Sequence, residues 1–278
     1  MKADSMSLKA QIRNLAREMN TSAQILLQNY MFERFLERLS LSDYKDKFVL
    51  KGGVLVAAIV GVDMRSTMDL DTMFRGLPFT AENIVKIISS ICSYTTTDGV
   101  VMSVGAILPI RADDVYGGYR VKITATYDTI KTPFNIDIST GDVITPQATK
   151  YTLRGIFEED KQIEIWAYNI ETILAEKIET ILRRNTLNTR PRDFYDIFIL
   201  STMSNYDKGL LRKAVQATAK HRKTTEQITD VKALLSAITS SLDLRQQWNK
   251  YRREYHYASN ITYEQISEKI IEVCQTLF

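Results

Sequence analysis

The chain has 278 residues, 45% hydrophobic and 25% charged, with five prolines and eleven glycines. That profile excludes collagen-like, disordered and disulfide-stapled classes, and the length is enough for one large core or two modest ones. The charge balance is 36 Lys+Arg against 33 Asp+Glu, a net of +3 with both histidines neutral, too mild to establish a nucleic-acid partner.

From Ser7 to about Leu41 the apolar residues recur at helical spacing: Ile12, Leu15 and Met19, then Leu26, Leu27, Tyr30, Phe35, Leu36 and Leu39. Two amphipathic helices are predicted, broken near Asn20-Thr21-Ser22, with Thr21 or Ser22 capping the second. Phe48-Val49-Leu50 reads as a strand running into the turn Lys51-Gly52-Gly53. A short buried helix over Val54–Val60 and a strand carrying Asp69 and Asp71 follow. Thr80 to Ser90 reads as a helix with Thr80 as cap and Glu82 in its first turn. Val100 to Ile138 is rich in Val, Ile, Thr and Tyr and punctuated by Asp113-Asp114 and Gly117-Gly118, which predicts consecutive strands ending in Phe134-Asn135-Ile136-Asp137-Ile138. After Trp166 helices are predicted over Glu171–Arg184, Pro191–Ser204, Lys208–Lys220, Val231–Ser240 and Tyr263–Leu277. The order implies an α+β protein: a mixed-sheet α/β lobe with N-terminal helices over residues 1–165, then a helical lobe over 166–278.

No stretch reaches the roughly 18–20 apolar residues of a membrane span. The charged N-terminus lacks an apolar signal core. Cys92 and Cys274 lie far apart without metal-type spacing, as expected in a reducing compartment. A cytoplasmic protein without a membrane partner is expected.

Asp69 and Asp71 are the most informative pair. Residues two apart on a strand share a face, so both carboxylates point one way while Leu70 points into the core. A bound divalent cation relieves their repulsion, and Mg²⁺ held by one or two carboxylates plus substrate phosphates is a common arrangement. Asp137 repeats the pattern on a later strand, with Ile136 and Ile138 facing the core, and would complete a platform for phosphoryl or nucleotidyl transfer. Asp-x-Asp alone also occurs on plain solvated strands. The added signal is Lys51-Gly52-Gly53, since paired glycines opening a helix let backbone N–H groups approach a phosphate. Arg65 and Thr67 would add a charge and a hydroxyl donor, or form a solvated loop.

These segments resemble a known family. Lys51-Gly52-Gly53 with Arg65-Ser66-Thr67-Met68-Asp69-Leu70-Asp71 is similar to the first motif of the nucleotidyltransferase superfamily that includes DNA polymerase beta. Within it the chain resembles the AbiEii toxins of type IV abortive-infection toxin–antitoxin systems. Ile136-Asp137-Ile138-Ser139-Thr140-Gly141-Asp142, Ala175-Glu176-Lys177 and Arg192-Asp193-Phe194-Tyr195-Asp196 agree with it, and the resemblance spans nearly the whole chain. It departs at Gly53, where the superfamily often has serine.

The resemblance implies a bi-lobed nucleotidyltransferase fold with the nucleotide between the lobes. It implies Mg²⁺ on Asp69, Asp71 and either Asp137 or Asp142, with Asp137 favoured because Asp142 follows Gly141 in the turn beyond the strand. It implies Lys177 on the triphosphate and Asp193, or second Asp196, as an active-site residue. Lys51, Gly52, Gly53, Arg65, Thr67, Lys177, Arg192 and Asp196 would bind nucleotide. Further implications are GTP or a pyrimidine NTP as donor, an RNA or tRNA 3′ end as acceptor, and a cognate antitoxin. A small-molecule nucleotidyltransferase of the antibiotic-modifying type and a non-catalytic nucleotide- or RNA-binding protein are the alternatives.

Some of this has a reading without the family. Lys177 lies on or beside the apolar face formed by Ile170, Ile173, Leu174, Ile178 and Ile181, awkward for a charge unless an anion meets it or the side chain snorkels to solvent. Asp193 and Asp196, three apart at a helix start, share a face and complement the helix dipole. Arg192 would pair with Asp196 or touch a phosphate. Lys208, Arg212, Lys213, Lys220, Arg222 and Lys223 would track an RNA backbone or form a solvated helix face. Arg252, Arg253, Tyr251, Tyr255 and Tyr257 would stack single-stranded RNA or pack the C-terminal helices. His221 and His256 receive no role.

Overall fold

The computed structural model describes residues 5–110, 117–158 and 160–277; the expected Asp113-Asp114 turn lies outside them. The chain divides into two compact units, one of residues up to Asp142 with Thr149–Ala167, the other of Val143–Ala148 with the residues from Tyr168 onward.

The first unit runs α1 (Ser5–Glu18), α2 (Ala23–Leu41), β1 (Phe48–Lys51), α3 (Gly52–Val60), β2 (Asp69–Phe74), α4 (Ala81–Cys92), β3 (Val101–Ile110), β4 (Gly118–Tyr127), β5 (Ile130–Thr140), β6 (Thr149–Arg154) and β7 (Gln162–Ala167). The strands form one seven-stranded mixed sheet in the order β3-β4-β5-β2-β1-β7-β6. The β2–β5 and β1–β7 pairs are parallel and the others antiparallel. Leu70, Ile136 and Ile138 are wholly buried, as their alternation with the carboxylates requires.

Local chemistry explains the boundaries. The side chains of Ser22 and Thr80 accept hydrogen bonds from Gln24 N and Asn83 N and so start α2 and α4. The segment Val54–Val60 is apolar all round, and α3 is buried along most of its length. The rings of Phe32 and Phe35 in α2 meet Phe134 of β5 edge-on at 5.3 and 6.4 Å. Arg38 of α2 makes a buried two-pronged pair with Asp98, at 2.7 and 2.9 Å, and also donates to Val100 O at 2.6 Å.

Strands β6 and β7 lie where no element is expected from the sequence. The segment Gln162–Ala167 does alternate, with Ile163 and Ile165 buried, but it is short, and its hairpin partner Thr149–Arg154 is a mostly exposed edge carrying Lys150 and Arg154.

The second unit contains α5 (Ile170–Arg184), α6 (Pro191–Met203), α7 (Lys208–His221), α8 (Val231–Ser240), α9 (Leu242–Glu254) and α10 (Tyr263–Gln275). The unexpected helix is α9, whose apolar spacing reduces to Leu244, Trp248 and Tyr251, all buried. Cys92 and Cys274 are free and buried, and burial pushes each thiol up to about 12, away from nucleophilic use. No helix among the described residues is long and apolar enough to cross a membrane.

Candidate active site

Sheet register assembles the polar face. Lys51 of β1 pairs with Asp71 of β2, Asp71 with Asp137 of β5, and Asp137 with Arg120 of β4. A row Lys51–Asp71–Asp137–Arg120 therefore crosses four neighbouring strands, two carboxylates flanked by two cations. Asp69 lies two residues before Asp71 on the same face, opposite Asn135.

Each flanking cation holds a carboxylate. Arg120 grips Asp137 with both prongs, Nε to Oδ1 at 2.7 Å and Nη2 to Oδ2 at 2.6 Å. The hydrogen bonds to Asp137 raise the Arg120 pKa further above its ordinary value; burial opposes this, and the charges of Asp137, Asp69 and Asp71 add to it. At the other end Lys51 Nζ lies 2.5 Å from Asp142 Oδ2, which also accepts from Ser139 Oγ at 2.8 Å. Asp142 follows the end of β5 and the turn residue Gly141, whose φ is +81°.

The glycine pair has a second task. Gly52, with φ +67°, opens α3 directly against Asp71, so that a Cβ there would fall 2.1 Å from Asp71 Oδ2. A Cβ on Gly53 would fall 2.6 Å from Thr67 Oγ1 and 3.3 Å from Arg65 Nη2. Glycines are needed here because the site's own side chains occupy the space, and this explains Gly53 physically: a serine would collide with Thr67. Arg65 and Thr67 do not form a solvated loop. They are buried at 3% and 5% exposure against this turn, and Gln28 Nε2 fixes the same segment through Met68 O at 2.5 Å. Lys51 supplies no side-chain cap to α3, and the helix N-terminus adds positive potential beside Asp71.

The donor set suits a hard divalent cation. Asp69 and Asp71 offer carboxylate oxygens from one sheet face, the chemistry Mg²⁺ selects. Asp137 stands next in register, but both its oxygens are taken by Arg120. Among the described residues no group of three or more Asp, Glu, His or Cys side chains is gathered closely enough to hold an ion. Asp69 and Asp71 thus stand together on one face, with Asp137 held by Arg120 beside them.

The second unit carries its own charged cluster. Lys177 in the middle of α5 reaches Asp193 Oδ1 at 2.5 Å and Asp196 Oδ2 at 3.1 Å, both in the first turns of α6. The anion that meets this awkward lysine is thus a pair of protein carboxylates, with Asp196 fully buried, and not bulk solvent at a snorkelled tip. Pro191 at the helix start and the three-residue spacing place both aspartates on the face that receives Lys177. Arg192 donates to Tyr255 Oη at 2.7 Å and lies over its ring at 5.4 Å.

Other sequence candidates have structural work in this unit. Tyr251, Tyr255 and Tyr257 pack on one another, with Tyr195 joining them, and Arg252 binds Ser259 O. In the basic stretch, Arg222 is tied to Glu176 and to the fully buried Glu179, and Arg212 donates to Thr276 O. The residues sequence reasoning missed are Arg120, Ser139 and Tyr255 as a partner of Arg192. Arg120 had only its place on a predicted strand to betray it, because alternation gives the face but not the register.

A model of the nucleotidyl transferase AbiEii toxin family, from type IV toxin–antitoxin systems, matches residues 34–269. No curated protein matches the chain. Among solved structures, JHP933 from Helicobacter pylori is 16% identical over 92% of this chain and 94% of its own, with a TM-score of 0.50. A second H. pylori protein is 15% identical over 92% and 95%, at 0.49. An antigenic nucleotidyltransferase-like protein from Paracoccidioides brasiliensis is 16% identical over 76% and 93%, at 0.41. The likeness to JHP933 concerns the fold.

Proposed function

The chain belongs to the AbiEii family of nucleotidyltransferase toxins of type IV toxin–antitoxin systems, and we propose that Asp69 and Asp71 carry its transfer chemistry with Mg²⁺. The observation that carries this reading is the pairing of these carboxylates on one sheet face, with Asp71 packed against the glycine that opens α3.

In the proposed reaction an acceptor hydroxyl attacks the α-phosphorus of an NTP. The new O–P bond forms as the bond to the bridging α–β oxygen breaks, and pyrophosphate leaves. Mg²⁺, when held by Asp69 and Asp71, supplies charge neutralisation at the phosphates. Asp137 accepts the proton of the attacking hydroxyl. Gly52 and Gly53 at the α3 N-terminus present backbone N–H groups and helix potential to the phosphates, and Arg65 and Thr67 brace that turn. Lys51, held by Asp142, adds positive charge at the same end of the row. In the helical unit Lys177, paired with Asp193 and Asp196, is the second candidate for contact with a phosphate, with Arg192 next to Asp193 in the chain.

The donor is GTP or a pyrimidine NTP and the acceptor an RNA, with a tRNA 3′ end first among candidates. The protein acts in the cytoplasm, arrests growth during phage infection, and is neutralised by a cognate antitoxin. The test is incubation with each of the four α-labelled NTPs, Mg²⁺ and total RNA. Label from one NTP at an RNA 3′ end is expected. Label confined to small molecules would favour the antibiotic-type alternative, and tight NTP binding without any transfer the non-catalytic one.

A further inference from the structure

We infer that Arg120 is a positioning residue of this site: a built-in counter-cation that holds Asp137 out of the metal set and yields it when a divalent cation arrives. The inference rests on the proposed metal role of Asp69 and Asp71.

Three observations lead to it. The register puts Asp137 directly beside Asp71, so the third carboxylate stands in the row that would hold the ion. Both its oxygens are nevertheless engaged by the Arg120 fork, at 2.6 and 2.7 Å. The Arg120 side chain is 39% exposed while that of Asp137 is 18% exposed, so the arginine has room to turn away from the less exposed aspartate.

The physical need is plain. Neighbouring carboxylates on one sheet face repel, and without an ion some other cation must offset them. Arg120 does so from the next strand. A planar fork matched to a carboxylate is a strong competitor for its oxygens. An ion that draws on one Asp137 oxygen must displace the fork, so occupation of the site and release of Asp137 from Arg120 become one event. The other Asp137 oxygen is then open to the acceptor hydroxyl only in the loaded site.

The test is Mn²⁺ affinity of the purified full-length protein, read by electron paramagnetic resonance of free Mn²⁺ and by calorimetry, without nucleotide. Arg120→Gln should bind Mn²⁺ about tenfold more tightly than wild type, the worth of one displaced charge-assisted contact. Arg120→Lys, which keeps the charge and loses the fork, should gain a smaller part. In an Asp137→Asn background the same Arg120→Gln change should alter affinity by less than about twofold, the additive limit. No gain in either single variant, or an equal gain with and without Asp137, would overturn the inference; the second result would mean only a diffuse charge effect. Failure of the underlying metal reading looks different: wild type would bind no Mn²⁺, or Asp69→Asn would bind it as wild type does.

Discussion

The carboxylate of Asp71 occupies the space that a side chain on Gly52 would need, with Asp71 Oδ2 only 2.1 Å from the position of a Cβ. Strand β2 and the opening turn of α3 are therefore fitted to each other through one missing side chain. Gly52 also holds φ +67°, where any other residue is strained.

Gly52→Ala should accordingly combine two costs. The left-handed backbone costs about 1–3 kcal/mol. The displaced Asp71 should lower transfer by at least about a hundredfold, as misplacement near 1 Å does in other sites. Thermal unfolding and an NMP-transfer assay on the same preparation check both. Normal transfer by the alanine variant would show that the Asp71 position is not critical.

Lys177→Ala should destabilise the protein. The substitution leaves Asp193 and the fully buried Asp196 side by side without their shared cation. Breaking such a pair costs about 3–5 kcal/mol, and some residual exposure of Lys177 puts the expectation near the low end. Adding Asp193→Asn to Lys177→Ala should restore part of the loss. Denaturant unfolding of the single and double variants decides it. Unchanged stability in Lys177→Ala would mean the carboxylates do not depend on the lysine in the folded protein.

Asp98→Asn probes the buried pair with Arg38, and its cost should depend on pH. Burial alone would raise the Asp98 pKa, but the hydrogen bonds from Arg38 and Val100 N together with the Arg38 charge outweigh it and hold the carboxyl below its ordinary value. A depressed folded pKa means that the contribution is complete above the unfolded value of about 3.9 and is lost as pH falls through the folded one. The stability gap between wild type and Asp98→Asn should be constant from pH 5 to 7 and shrink below about pH 4. A gap that widens on acidification would reverse the sign of this linkage.

The legible and illegible parts of the protein separate by range. Helices α2, α4 and α5 announce themselves by apolar spacing, and α2 and α4 also by Ser22 and Thr80 as caps, all local properties. The alternation around Asp69, Asp71 and Asp137 gives their common face for the same reason. What joins Lys51, Asp71, Asp137 and Arg120 is register across four strands, which no local pattern encodes. Lys177 could be read as a charge in want of an anion, yet its anions lie on the next helix. Strand β6 stayed hidden because an exposed, charged edge strand buries too little to leave a pattern, and β7 because its alternation covers only six residues.

The central claim is that the Asp69–Asp71 pair carries nucleotidyl transfer, and the most direct measurement is transfer of labelled NMP to RNA by wild type and Asp69→Asn at matched thermal stability. Asp69 lies on the half-buried polar face and not in the core, so the variant should fold normally. Losing a metal-binding carboxylate removes several kcal/mol of transition-state stabilisation, so transfer should fall by about a thousandfold or more. A well-folded Asp69→Asn protein that transfers NMP at the wild-type rate would contradict the account.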